Sequence, residues 1–158
     1  MPEELQDFAQ WINDNQAERW TKANGVRVTR ATREEVRAEM EIRPDHLQSY
    51  GIVHGGVHAA LIETIASIGA AIHAIAEGKS AVGLENHTSF LRAVRSGRLR
   101  AVAKPLARGR RSHVWEGSVY DDAERLVASG RVRLLILEPD TDLAGERVEI
   151  KGERTRGD

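Results

Sequence analysis

Apolar and polar residues alternate along several stretches of this chain, and one longer stretch is apolar almost throughout. At 26–29 and 36–42 every second residue is apolar, which is typical of antiparallel strands with one exposed face. Four later stretches have strand-like composition and are separated by turn residues. They span about 80–91, 98–107, 112–121 and 125–138. The pattern therefore predicts two early strands and a run of four later ones.

The long apolar stretch, 55–76, predicts a single helix. It opens at His54-Gly55-Gly56 and ends at Glu77-Gly78-Lys79, where a glycine suits a helix C-terminus. Its length approaches that of a membrane span. However, Glu63 and other polar residues interrupt it, and no aromatic belt or basic flank accompanies it. We therefore expect a helix buried in protein on all sides.

One buried helix followed by four antiparallel strands packs most simply when the sheet curls around the helix. The expected fold class is α+β, with one long central helix wrapped by a curved antiparallel sheet over 25–138. The N-terminal segment, 1–24, should hold an amphipathic helix over about 3–20. Its apolar positions are Leu5, Phe8, Ile12 and Trp20. The segment 139–158 is polar and aperiodic, and we expect a loosely held or disordered tail.

Composition narrows the possible functions. The 158 residues, 41% hydrophobic, suit one domain with a sizeable core. Lysine and arginine number 23 against 24 acidic residues, so the net charge of -1 gives no electrostatic case for nucleic-acid binding. The absence of cysteine excludes disulfides, thiol nucleophiles and thiolate metal sites. The first residues show no basic segment followed by an apolar one, so we expect a cytoplasmic protein without a secretory signal.

Glu63 is the residue that most strongly suggests chemistry. It lies in an otherwise apolar helix, and burying a carboxylate costs several kcal/mol unless the group is paired or neutralised. Ser67 follows four positions later and shares its helix face. A structural glutamate that pairs with an arginine of the sheet would explain these residues equally well.

The triplet His54-Gly55-Gly56 at the helix start suits an oxyanion hole. Free N–H groups and the helix dipole favour developing negative charge there. An ordinary helix-initiating loop would look the same.

Gly55 and Glu63 are eight positions apart, about 12 Å along one helix. A carboxylate that attacks a carbonyl must come within about 3–3.5 Å of it. If both groups act in one site, that site should therefore combine antiparallel helices of two subunits.

Other candidate sites are weaker. The basic turn 107–113 carries arginines suited to binding phosphate. The same residues would also be expected if the turn were simply a solvated hairpin tip. Arg92, Arg95, Arg98 and Arg100 could extend its positive surface. His54 and His58 are four apart, yet the zinc-hydrolase pattern needs a glutamate where Gly55 stands, so no metal site is expected. A Gly-x-Ser-x-Gly nucleophile elbow is absent.

Several segments resemble the hotdog-fold acyl-CoA thioesterases of the PaaI-like group. They are Gln48-Ser49-Tyr50-Gly51-Ile52-Val53-His54-Gly55-Gly56, Leu61-Ile62-Glu63-Thr64-Ile65-Ala66-Ser67, and the stretches 81–92 and 126–130. The likeness covers about 25–138. It is greatest to 4-hydroxybenzoyl-CoA thioesterases of the Arthrobacter type and to 1,4-dihydroxy-2-naphthoyl-CoA thioesterases. The resemblance implies the hotdog fold.

The same resemblance implies roles for individual residues. Glu63 would be the nucleophile or the general base that activates water. Gly55 N–H and the Gln48 side chain would polarise the thioester carbonyl, His54 would help to position Gln48 or the thioester, and Ser67 would orient the water. Residues near CoA would be Val82, Ser89, Phe90, Leu91, Arg92, Gly109, Arg110 and Arg111. Arg110 and Arg111 replace hydroxyl residues of the Arthrobacter-type enzymes, so phosphate contacts cannot be carried over.

The expected function is hydrolysis of an acyl-CoA thioester, with an aromatic or medium acyl group, to free acid and CoA. No cofactor is expected, since coenzyme A is part of the substrate. We also expect a homodimer with shared active sites, assembled further into a homotetramer, without nucleic-acid or membrane partners. A non-catalytic acyl-CoA-binding or regulatory hotdog domain is the alternative. A hydratase on this fold is a weaker one, because no Asp/His hydratase pattern is present.

Overall fold

The computed structural model describes residues 6–16 and 19–150, which form one large sheet around one long helix. The helices are α1 (Ala9–Asp14), α2 (Trp20–Ala23) and α3 (Gly55–Ile75), with a 3-10 turn at Pro44–His46. The strands are β1 (Arg27–Ala31), β2 (Val36–Glu41), β3 (Ser80–Phe90), β4 (Arg98–Arg108), β5 (Ser112–Tyr120), β6 (Leu126–Leu137), β7 (Asp142–Leu143) and β8 (Glu146–Arg147). The six predicted strands and the long helix are confirmed.

The first six strands form an antiparallel sheet in the order β1-β2-β4-β5-β6-β3. Helix α3 packs on one face of this sheet and contacts β2 to β6. That arrangement confirms the expected α+β class with one central helix. The buried apolar side chains of its core are aliphatic apart from Met40 and Trp115, and Trp115 is fully buried. The indole of Trp115 occupies the space in front of Gly69, so a helix residue without a side chain allows the sheet to approach α3 closely.

The two edges of the sheet are treated differently. On the β1 edge, the Asn13 amide donates to Val28 O at 2.7 Å while its oxygen accepts from Val28 N–H at 2.9 Å. Asp7 Oδ1 accepts from Ala31 N–H at 2.9 Å. The opposite edge is β3, which pairs only with β6 among the described strands, and its residues 83–87 are exposed. This edge therefore keeps an unpaired row of backbone groups.

The N-terminal prediction is wrong in one respect, because two short helices replace the single helix expected over about 3–20. Asn15 ends α1, and its side-chain amide donates back to Trp11 O at 2.8 Å. Such local bonds compete with helix continuation. Phe8 and Ile12 do pack against the core, whereas Leu5 lies outside the described residues.

Two further expectations need correction. The tail is not structureless up to residue 150, because β7 and β8 pair as a hairpin whose turn residues Ala144 and Gly145 both have positive φ.

Helix α3 is long and apolar enough to span a membrane by length and composition alone, and it serves here as the core helix. Its burial is not complete on all sides, since Glu63 and Ser67 are only partly buried. They lie on the side of α3 that faces the open strand β3.

Candidate active site

The Glu63 carboxylate lies between helix α3 and strand β3 and is held by neutral groups. Ser67 Oγ donates to Oε1 at 3.4 Å, and Asn86 Nδ2 donates to Oε2 at 3.2 Å. A Cβ at Gly83 would collide with Oε1. Within residues 6–16 and 19–150 Glu63 forms no ion pair, so the structure does not show the structural role in which it pairs with an arginine. The carboxylate is thus oriented without being neutralised.

A bulge in β3 shapes the surroundings of this carboxylate. The pairing of β3 with β6 shifts register between Gly83 and Glu85, so the residue between them is extra. As a result Gly83 and Asn86, three positions apart, both face α3. Beyond the bulge, normal alternation places Thr88 and Phe90 on that same face.

The start of α3 forms a second cluster, about 12 Å along the helix from Glu63. His54 is the N-cap, and its Nδ1 accepts from Gly56 N–H at 2.8 Å, which fixes Nδ1 as the unprotonated nitrogen. The Phe90 ring packs on Gly55, where a Cβ would lie 2.7 Å from the ring. Gly55 therefore lets an aromatic side chain reach the helix N-terminus.

The loop before α3 carries Gln48. Its backbone N–H donates to Ile52 O at 2.9 Å, and its side-chain oxygen accepts from Tyr50 N–H. With the oxygen occupied, the NH2 group is the end of the amide that can donate to a ligand. Arg95 Nη1 donates to Tyr50 O at 2.7 Å and to Gly51 O at 3.2 Å. This arginine was expected on a phosphate-binding surface, and it instead fixes the Gln48 loop.

His58 lies one turn into α3, buried, with its ring 6.3 Å from that of Phe90. Its Nδ1 has no hydrogen-bond partner among the described residues. Burial lowers the pKa of His58 below the usual 6.5. The imidazole is therefore neutral at physiological pH, and it lies as an uncharged ring beside the start of α3.

The residues expected near CoA are spread over the molecule. Phe90 faces α3, whereas Val82 and Ser89 occupy the opposite pleat of β3. Leu91 and Arg92 follow β3 and are exposed. The hairpin tip with Gly109, Arg110 and Arg111 is exposed near the other end of α3, where the His113 and His73 rings are 5.1 Å apart. The fold of one chain therefore does not bring this tip near Gly55, which lies about 27 Å away along the helix.

Arg98 and Arg100 are engaged elsewhere. Arg98 lies 3.7 Å from Glu39 and 3.5 Å from Glu41, and Arg100 lies 3.8 Å from Glu124. These ion pairs cover the outer face of the sheet and do not extend the positive surface of the hairpin tip. Among residues 6–16 and 19–150, no group of three histidine, aspartate or glutamate side chains could hold a metal ion.

Sequence reasoning missed Gly83 and Asn86. The available signal was the run of polar residues 85–89 in a strand that otherwise should pack on an apolar helix. Asn86 joins β3 to the Glu63 turn of α3, since its Nδ2 also donates to Ala59 O at 2.9 Å.

Comparison with known proteins identifies the family. A family model described as "Thioesterase superfamily" matches residues 50–128, which include Gly55, Glu63, Ser67, Gly83 and Asn86. The chain belongs to the thioesterase superfamily. Its hotdog domain is that of a thioester hydrolase, and Glu63 lies inside the matched segment together with the groups that contact its carboxylate.

Relatives with assigned names support this membership. The chain is 44% identical over 116 residues to Rv1847 of Mycobacterium tuberculosis, provisionally named an esterase, covering 72% of this thioesterase and 83% of the relative. It is 37% identical over 100 residues to the 1,4-dihydroxy-2-naphthoyl-CoA hydrolase of Escherichia coli, covering 63% and 73%. The solved structure of a mutant of thioesterase PA1618 from Pseudomonas aeruginosa has a TM-score of 0.77 at 26% identity, covering 82% of this chain and 93% of that one.

Proposed function

We propose that this thioesterase hydrolyses an acyl-CoA thioester and that Glu63 is its catalytic carboxylate. The observation that carries the proposal is the set of contacts around the Glu63 carboxylate. The carboxylate has room in front of Gly83, is oriented by Ser67 and Asn86, and has no cation beside it in the described part of the chain. A carboxylate oriented in this way suits a nucleophile or a general base.

We propose further that two protomers complete each site. Gly55 and Glu63 lie on one helix about 12 Å apart, too far for both to reach one carbonyl. Ala59 is midway between them. A two-fold axis near Ala59 would set the α3 helices antiparallel and place Glu63 of one protomer beside Gly55 of its partner. Strand β3 runs beside that part of α3 with its edge open, so the same axis would pair two β3 strands.

In such a site the helix N-terminus would polarise the thioester carbonyl. The Gly55 N–H and the Gln48 NH2 group would donate to the carbonyl oxygen as negative charge develops on it. Glu63 would then either attack the carbonyl carbon, giving an anhydride that water hydrolyses, or remove a proton from the attacking water. In both routes the C–S bond breaks, the CoA thiolate leaves, and the acid is released. Ser67 lies within reach of Glu63 and would orient the water.

The proposed substrate class rests on residues outside the Glu63 site and on a relative of known substrate. Arg92, Arg110 and Arg111 are exposed cations without ion-pair partners among the described residues, which suits the phosphates of CoA. The acyl group proposed is aromatic or of medium length, and the hydrolase from Escherichia coli named above acts on an aromatic acyl-CoA. We propose a cytoplasmic homodimer, associated further into a tetramer, that needs no cofactor beyond the CoA carried by its substrate.

Glu63→Gln tests the proposal. Hydrolysis of a panel of aromatic and medium-chain acyl-CoA esters is followed by release of free thiol. We expect turnover to fall by at least about 10³-fold, while the variant keeps its thermal midpoint and still binds CoA. Unchanged turnover would remove Glu63 from the mechanism. Acyl-CoA binding without hydrolysis by the wild-type chain across the panel would favour the non-catalytic alternative.

Mixing subunits tests the shared site. Glu63→Ala and Gln48→Ala are each expected to be inactive as homodimers. After subunit exchange, a heterodimer would contain one site with both residues intact, so part of the activity should return. Exchange demonstrated by mass spectrometry without recovered turnover would contradict the shared site, whereas Glu63→Gln tests the chemistry independently.

A further inference from the structure

Asn86 connects three groups between β3 and α3. Its Nδ2 donates to Glu63 Oε2 at 3.2 Å and to Ala59 O at 2.9 Å, and its Oδ1 accepts from Thr88 Oγ1 at 2.6 Å. Each polar atom of this carboxamide is therefore bonded. These three hydrogen bonds together fix the position of the side-chain amide.

The orientation of the amide follows from its partners. The Ala59 carbonyl and the Glu63 carboxylate can only accept, so the NH2 group must face the helix. The Thr88 hydroxyl can then donate to the remaining oxygen. Thr88 is itself confined, because it fills the space in front of Gly130 on β6, where a Cβ would collide with its hydroxyl. The chain of contacts runs from the rigid interior of the sheet to one oxygen of Glu63.

Building on the proposed function, we propose that Asn86 is a positioning residue that fixes the orientation of the Glu63 carboxylate. Its hydrogen bond occupies Oε2 and stops rotation of the carboxylate. Oε1 accepts only the longer bond from Ser67, at 3.4 Å, and is therefore assigned as the oxygen that acts on the thioester or on water. Asn86 itself contacts neither the substrate nor the attacking water in this assignment.

A purely structural role would make a different prediction. Asn86 could simply tie β3 to α3 through Ala59 O, and its loss would then lower stability or dimerisation without a specific effect on turnover. The two roles are separable because only one of the two Nδ2 bonds reaches Glu63. Substitution of Asn86 in the presence and absence of the carboxylate distinguishes them.

The experiment compares Asn86→Leu, which keeps the side-chain size but removes both donors, with His87→Leu on the opposite pleat of the same strand. In the full-length protein, kcat and KM are measured for the best acyl-CoA substrate, with thermal midpoint and sedimentation as controls. We expect Asn86→Leu to lower kcat by about 10- to 100-fold with KM changed by less than about 3-fold, as for a misplaced catalytic group. His87→Leu should change neither. Thr88→Val, which removes only the support of Asn86, should lower kcat by a smaller factor.

The decisive measurement is the double variant Asn86→Leu/Glu63→Gln. If Asn86 acts through the carboxylate, the double variant should show the same residual rate as Glu63→Gln alone. Wild-type kcat in Asn86→Leu while Glu63→Gln is inactive would overturn the positioning role and leave the proposed function standing. A further fall of the residual rate in the double variant would also overturn it. Full turnover in Glu63→Gln would remove both. If Asn86→Leu does not fold, Thr88→Val carries the test, and unchanged kcat in that variant would count against the role.

Discussion

Gly83 faces Glu63 across the gap between β3 and α3, and the carboxylate fills the space that a β-carbon at Gly83 would take. The φ of Gly83 is not positive, so its backbone would accept an ordinary residue. Glycine is needed at this position because of the carboxylate in front of it. A strand residue is thus matched to a helix residue twenty positions earlier in the chain.

Gly83→Ala should displace the carboxylate and lower kcat by about 10- to 100-fold, since small misplacements of a reacting group have effects of this order. Steady-state kinetics with an acyl-CoA substrate measures the loss. The same substitution made in a Glu63→Ala background meets no carboxylate. It should therefore lower the thermal midpoint less there than in the wild-type chain, and equal losses in both backgrounds would contradict the steric explanation.

Arg95→Met should loosen the loop that carries Gln48, because the carbonyls of Tyr50 and Gly51 lose their shared donor. We expect kcat/KM to fall by about 10-fold, as expected when roughly 1.4 kcal/mol of transition-state stabilisation is lost. Arg131→Met, on the outer face beside Glu116, is the matched control and should retain wild-type kcat/KM. A similar loss in both variants would point to overall charge instead of the loop.

Gly69→Ala should destabilise the fold although alanine is the better helix former. The gain of about 1 kcal/mol from helix propensity is outweighed because the new methyl group meets the Trp115 ring, and overpacking of this kind costs about 1–3 kcal/mol. Urea unfolding measures the difference. In a Trp115→Phe background the smaller ring leaves room, so Gly69→Ala should cost less there. Trp115 Nε1 has no partner in the described structure, so that background loses no hydrogen bond.

The free energy of unfolding should decrease as pH falls below about 6.5. Burial lowers the pKa of His46, His58 and His113, and for His113 the neighbouring His73 and Arg108 lower it further, whereas Glu77 opposes the shift. The unfolded chain binds protons at the usual 6.5 while the folded chain does not, so the stabilisation is complete above 6.5 and is lost towards the folded values. Urea titrations from pH 7.5 to 5 test this. His113→Phe should flatten the profile.

Much of this architecture could be predicted from local sequence. The apolar run and His54-Gly55-Gly56 defined α3, and period-two alternation with strand-like composition located all six strands of the large sheet. The thioester chemistry came from motif resemblance to a family, and no single residue pattern specified it. The roles given to Gln48, Gly55, Glu63 and Ser67 stay predictions.

The contacts around Glu63 could not be predicted in this way. Regular alternation from Gly83 would place Glu85 and His87 on its side of β3, yet the bulge exchanges the two faces and brings Asn86 in. The strand order that leaves β3 at an edge is set by tertiary packing. The position of α1 against the sheet likewise depends on a long-range contact, since the Asn13 amide bonds with Val28, fifteen residues later.

The bonds from Asn13 to Val28 have a consequence for solubility. Sheets with two unprotected edges can recruit further chains and grow into fibres. Here the backbone groups of Val28 and the N–H of Ala31 on one edge are already bonded to Asn13 and Asp7 of the same chain, so we expect growth in one direction only. A second copy added at β3 would present the same blocked edge on its far side, and the assembly would terminate after a single addition. The N-terminal segment that carries Asp7 and Asn13 would therefore limit intermolecular strand pairing to two chains.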